Sequence, residues 1–155
     1  MIYTSARSMI RGELSALFGT VEGIAFYERV AVNTPTEPYA IWKVVDSVTD
    51  PDDSRESDGA DITQGLVEIT FSAQASEIEE ATDRLLQSVR TALLAYQPSS
   101  NGETVRYNAG TEAGTMKGVQ YNSHHPRVEA TQSGTTRCRL YVTFIAHYRW
   151  QKVKV

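Results

Sequence analysis

Residues Arg137-Cys-Arg-Leu-Tyr-Val-Thr-Phe-Ile-Ala-His-Tyr-Arg-Trp150 alternate without a break. In an extended chain, Cys138, Leu140, Val142, Phe144, Ala146, Tyr148 and Trp150 point one way, and Arg137, Arg139, Tyr141, Thr143, Ile145, His147 and Arg149 point the other. A period of two over Cys138–Trp150 predicts a strand about 40 Å long, given 3.2–3.4 Å per residue. One side is apolar and the other mixed, the pattern of a sheet whose helices cover a single face. The strand is longer than a small sheet needs, so its end is expected to reach past the subunit body.

The same alternation appears from Gly65 to Ala75, where Val67, Ile69, Phe71 and Ala73 oppose Glu68, Thr70, Ser72 and Gln74. Ser76-Glu-Ile-Glu79 then reads as a capping box opening a helix to about Ala95. That helix carries Ile78, Ala81, Leu85, Val89, Ala92, Leu93 and Tyr96 on one face, and Thr82 shares it as a small polar interruption. Glu77, Glu79, Glu80 and Asp83 crowd its first turns and Arg90 lies near its end, which suits the helix dipole. A first helix, capped by Thr4 or Ser5, is expected to end at about Phe18 with Gly19 as its stop, and Ile10, Leu14, Leu17 and Phe18 form its apolar stripe.

Between the helices, Ile24–Val32 is β-rich and Tyr39–Val48 reads as a strand. Two prolines three apart make Asn33-Thr-Pro-Thr-Glu-Pro38 a turn. Gln97-Pro-Ser-Ser-Asn-Gly102 breaks the chain, and short strands are expected near Thr104–Asn108 and Lys117–Asn122. The order predicts an α+β fold, a mostly antiparallel sheet of about five strands with two helices packed on one face. The whole of 1–155 is expected to form a single domain with a long acidic loop at 49–63.

That loop is the most distinctive local composition. Asp46 to Asp61 holds seven acids, one Arg, Pro51 and Gly59, a mixture that cannot pack. Residues 1–75 carry 5 basic and 12 acidic side chains, and residues 76–155 carry 10 and 7. An acidic front and a basic rear suit self-association between unlike faces better than general nucleic-acid binding, which draws on a broad basic surface. No apolar run is long enough for a membrane span, and no apolar segment of a secretory signal opens the chain. The single Cys138 excludes an internal disulfide and points to a cytosolic origin.

Chemistry-bearing groups are sparse. His124 and His125 are adjacent, so an extended chain points them to opposite faces, and no HxH, HExxH or CxxC spacing occurs. His147 lies on the polar side of the last strand. The pairs Asp52/Asp53, Asp58/Asp61 and Glu79/Glu80 read as solvated or dipole-related carboxylates. Gly110-Thr-Glu-Ala-Gly114 lacks the GK[ST] of a phosphate loop. The Cys138 side chain shares the apolar face with Leu140 and Val142, which makes it a core residue. Nothing here reads as an enzyme or calls for a cofactor or metal.

The order of features resembles the tail terminator (tail completion) proteins of long-tailed bacteriophages. The resemblance runs through Ser8-Met-Ile-Arg-Gly-Glu-Leu-Ser-Ala-Leu-Phe-Gly19, Phe26-Tyr-Glu-Arg-Val30 and Pro38-Tyr-Ala-Ile-Trp42. It continues through Asp58-Gly59, Thr70-Phe-Ser-Ala73, the helix Asp83-Arg-Leu-Leu-Gln-Ser-Val-Arg-Thr-Ala-Leu93 and the strand from Arg137 to Phe144. The stretch Glu103–Glu129 is longer and richer in glycine than the family pattern. The resemblance implies a structural protein without catalytic residues. It would form a hexameric ring that caps the tail tube, ends its polymerisation and meets the head–tail connector, with DNA passing through the lumen without sequence-specific binding. It also implies a place at the head-proximal end of the virion tail after synthesis in the host cytoplasm.

A closed ring needs a heterologous interface. The expected one sets Asp52, Asp53, Asp58 and Asp61 against Arg137, Arg139, Tyr141 and Arg149 of a neighbour, and an exposed strand edge could extend the sheet across it. The alternative from a different class is a small α+β enzyme or ligand-binding module using His124, His125 or His147. A portal–tail adaptor would differ from the ring reading only in its partner.

Overall fold

Ser5 starts the first helix. It is extended (φ −157°, ψ 164°), and its hydroxyl accepts the Ser8 amide at 3.1 Å, while the Ser8 hydroxyl oxygen accepts the Ser5 amide at 3.0 Å. This reciprocal box opens α1, Ala6–Phe18, whose buried side comprises Met9, Ile10, Glu13, Leu14, Leu17 and Phe18. The helix ends at Gly19, but in right-handed geometry (φ −66°). A left-handed glycine is therefore not what stops it. The Thr20 hydroxyl instead donates to the Leu17 carbonyl at 2.6 Å, and the positive φ comes later, at Gly23 (+82°).

The structure, a computed structural model, describes residues 5–31, 33, 35–45, 61–97, 105–107, 112–129 and 135–152. Its strands are β1 (Ala25–Glu28), β2 (Tyr39–Val44), β3 (Asp61–Gln74), β4 (Val105–Tyr107), β5 (Glu112–Glu129) and β6 (Thr135–Lys152), and its second helix is α2 (Ile78–Leu94). They form one sheet of six strands, against about five expected, in the order β1-β2-β3-β6-β5-β4. Every neighbouring pair is antiparallel except β1–β2, which is parallel. The return from β1 to β2 uses left-handed backbone at Arg29 and Asn33 and a cis peptide before Pro38. The α+β class and the one-sided helix layer match the sequence reading.

Three boundaries differ from expectation. β2 is assigned to Val44, not Val48, and most of the acidic segment (46–60) lies outside the described residues. β3 begins at Asp61, so residues 61–63 belong to the sheet and not to a loop reaching 63. The capping box at Ser76 does not form. A 3₁₀ turn over Ala75–Glu77 carries the chain from β3 into α2, which leaves Ser76 inside the turn and Glu77 as an N-cap without a side-chain hydrogen bond.

The largest difference is β5. A short strand near Lys117–Asn122 becomes one from Glu112 to Glu129, paired along its length with β6. Register shifts between Met116 and Gly118 and between Tyr121 and Ser123 each add a residue. Residues aligned with the buried side of β6 are then Met116, Val119, Tyr121, His124, Pro126 and Val128, a spacing with no constant period.

The core lies between the helices and one face of the sheet. Trp42, Val67, Ile69, Phe71, Leu140, Val142 and Phe144 are buried there beneath Leu14, Phe18, Leu85, Val89 and Leu93. Phe18 is the hub: its ring stacks on Phe26 (centroids 4.9 Å, planes 4° apart) and meets Trp42 at 5.3 Å and the edge of Phe144 at 5.9 Å. Phe144 lies over Gly65, its partner in register. A carboxylate also enters this layer, with Glu13 buried on α1 accepting the Tyr96 hydroxyl at 3.2 Å.

Candidate assembly surface

The face of the sheet turned away from the helices can be read row by row from the register. One row runs Tyr27, Ile41, Glu68, Tyr141, His125, and the next toward the β5–β6 turn runs Ala25, Tyr39, Thr70, Arg139, Arg127. Lys43, Leu66, Thr143 and Ser123 flank the first row on its other side. Long side chains tile this face closely enough that Thr70, between Tyr39 and Arg139, is only 3% exposed. Three tyrosines and two arginines stand in these two rows, residue types enriched where proteins meet.

Arg137, Arg139, Tyr141 and Arg149 all fall on this face, as the alternation requires. The first two are already compensated within the chain. Arg137 lies 3.2 Å from Glu37, whose other oxygen accepts the Ser72 hydroxyl at 2.6 Å. Arg139 sits between Glu68 (3.7 Å) and Glu129 (3.9 Å), and its Nε is shut off from solvent without a hydrogen bond. A hydrogen bond with Tyr141, then the charge of Glu129, raise the pKa of this guanidinium further above its ordinary value. Arg149 is half-buried opposite Thr115. Of the acids expected to meet them, Asp61 lies in register with Tyr148, and Asp52, Asp53 and Asp58 lie outside the described residues.

The three histidines do not converge. His124 is on the helix side, its Nδ1 2.5 Å from the Tyr121 hydroxyl, and Arg90 of α2 stands over that tyrosine ring at 4.4 Å. His125 is across from Tyr141 on the open face. His147 is on the same face, 3.1 Å from the Gln120 amide oxygen, but six residues further along β6, or about 20 Å. Glu79 and Glu80 are exposed on α2. Among the described residues, no three or more His, Cys, Asp or Glu side chains gather as metal ligands would.

Cys138 is buried, and desolvation pushes its thiol pKa up. It is therefore held as the unreactive thiol. A thiol-specific reagent is expected to leave the native protein unmodified and to label one thiol per chain on denaturation; rapid native labelling would contradict the packing of β6.

Three features of the periphery could not be read from the sequence. β4 pairs only with residues 112–114, so beyond Gly114 the outer side of β5 has no strand among the described residues. From Asn122 to Val128 every residue of β5 is exposed, including the apolar Val128 at 54%. At the opposite edge, a cleft of about 420 Å³ opens between α1 and β1, lined by Phe18, Val21, Ile24, Phe26 and Trp42 among others. A second cleft of about 480 Å³, between the end of β3 and the start of α2, is lined by Glu37, Phe71, Ser72, Glu77, Glu80 and Arg84. Glu13 was legible in principle: it stands four residues after Met9 and four before Leu17, an acid inside an apolar stripe.

No family model and no curated protein matches the chain. Among the described residues, no helix is long and apolar enough to cross a membrane.

Proposed function

We propose that this chain is a ring-forming structural protein that caps the end of a phage tail tube, as the tail terminator proteins it resembles do. The observation that supports the reading best is the periphery of the sheet, where two long strands are covered by helices on one face only and, among the described residues, no further strand lies outside β1 or outside β5 beyond Gly114. Such a subunit has unlike surfaces available on opposite sides, which a closed ring requires. The aromatic and arginine-bearing open face offers a further surface for a tube or connector protein. Arg137, Arg139, Tyr141 and Arg149 facing Asp52, Asp53, Asp58 and Asp61 of a neighbour form the proposed charge pair. Exposed ion pairs contribute only about 0–1 kcal/mol each, and two of these arginines already hold carboxylates. Charge then selects the partner face and speeds encounter, while apolar contacts supply most of the affinity.

The function is tested by adding the purified protein to tail tube subunits as they polymerise. Rings several times the 17.2 kDa of one chain, and tubes that stop growing with a cap visible at one end, are the expected result. Tubes that lengthen unchanged, with the added protein unbound at either end, would overturn the reading.

A further inference from the structure

Among the described residues β1 and the far part of β5 have no strand on their outer sides, and we infer that these two edges join. In this arrangement the β5 edge of one copy, over Ser123–Glu129, adds to the β1 edge of the next, so that the sheet and its helix layer continue from subunit to subunit. The inference rests on the ring reading above and specifies its interface.

The argument begins with what each edge lacks. On the helix side of β5, His124, Pro126 and Val128 are exposed because neither α1 nor α2 covers them. At the other edge the helix layer is present and a neighbour is missing: α1 overhangs β1 and leaves the cleft lined by Phe18, Ile24, Phe26 and Trp42. Bringing β1 of one copy beside β5 of another carries α1 over the bare end, where Val128 can enter the cleft. Glu28, which lines that cleft, already holds Arg11.

Pairing β5 with β5 of a second copy does not meet the same needs. It would join two ends that both lack a helix layer, leaving Val128 half-covered. The length also fits. The bulge at Tyr121/Ser123 and the missing N–H of Pro126 rule out a long added strand, the usual protection of an edge against indiscriminate pairing. β1 has only four residues, Ala25–Glu28, and asks for no more than the short stretch that remains. A contact between two different edges of the same chain is heterologous and closes into a ring when the rotation allows.

The test uses the buried Cys138 as a silent background. Ala25 and His125 are both exposed, at the two edges and on the open face. The variants Ala25→Cys and His125→Cys are prepared separately, mixed and oxidised with copper phenanthroline, while light scattering on the same samples reports oligomer size. Disulfide-linked dimer should be about tenfold or more enriched in the mixture over either variant alone, because adjacent edges raise the effective thiol concentration. Amide exchange, which needs no substitution, should slow at 25–28 and 123–129 in the oligomer relative to dilute protein. An oligomer with neither sign overturns the edge pairing and leaves the ring reading standing. Cross-linking of His125→Cys alone overturns it in favour of β5–β5 pairing. A protein that stays monomeric at the highest concentration attained, without cross-links, overturns it too, and the tube-growth assay then decides the ring reading separately.

Discussion

Gly65→Ala is expected to remove about 3 kcal/mol of stability, the upper end of ordinary overpacking penalties. A Cβ on this residue would stand 1.9 Å from Phe144 Cζ and 2.4 Å from its Cε2, so the ring must leave its place. It has nowhere close to go. Phe144 is fully buried, with Phe18 against its edge and β3 and β5 on either side of β6. A domain of this size has only about 5–15 kcal/mol in total, so the loss is a large fraction of the whole. Urea midpoints measure it. Combining Gly65→Ala with Phe144→Leu should cost less than the two single effects added together, because the smaller side chain frees the space the methyl needs. An unchanged midpoint for Gly65→Ala would mean that the ring does not lie over the glycine in solution.

Phe18→Ala is expected to cost about 3–5 kcal/mol. The side chain is 1% exposed and touches three aromatic rings carried by three different strands. Its loss removes both the buried area and contacts worth roughly 0.5–1.5 kcal/mol per aromatic pair. Phe18→Leu keeps most of the volume and loses the ring contacts, so it should fall between wild type and the alanine variant. The near-ultraviolet circular dichroism of Trp42 should weaken in both. A loss below about 1 kcal/mol for Phe18→Ala would show that α1 is not anchored on the sheet through this residue.

The sequence showed most of the architecture wherever one period held over a whole element. Cys138–Trp150 and Val67–Ala73 alternate cleanly and are the centre of the sheet, with Val67, Ile69, Leu140, Val142 and Phe144 all buried. The stripe of α2 was read correctly apart from Leu86, which is buried beside Leu85. β5 was not legible because its two bulges reset the alternation, so no window shows a constant period. The Ser76 box failed because a capping pattern in sequence cannot show that a 3₁₀ turn precedes the helix, whereas Ser5 and Ser8 made a box that the Ser/Thr-x-x-Glu pattern does not describe. The arginines were placed on the correct face, but their carboxylates, Glu37, Glu68 and Glu129, come from three separate segments. Pairing of that kind depends on the register between strands and not on spacing along one of them.

The central pair of strands also sets the order in which the chain can fold. β5 and β6 follow one another closely in sequence and can zip as a hairpin, whereas Gln74 reaches Thr135 only across the whole of α2, β4 and β5. Closing that loop costs entropy before any contact rewards it, which slows folding relative to helical domains of the same size. Until β3 arrives, β6 presents an unpaired backbone edge beside an apolar face to other nascent chains. In an overproducing cell, the interval between hairpin closure and β3 docking is when aggregation competes with folding.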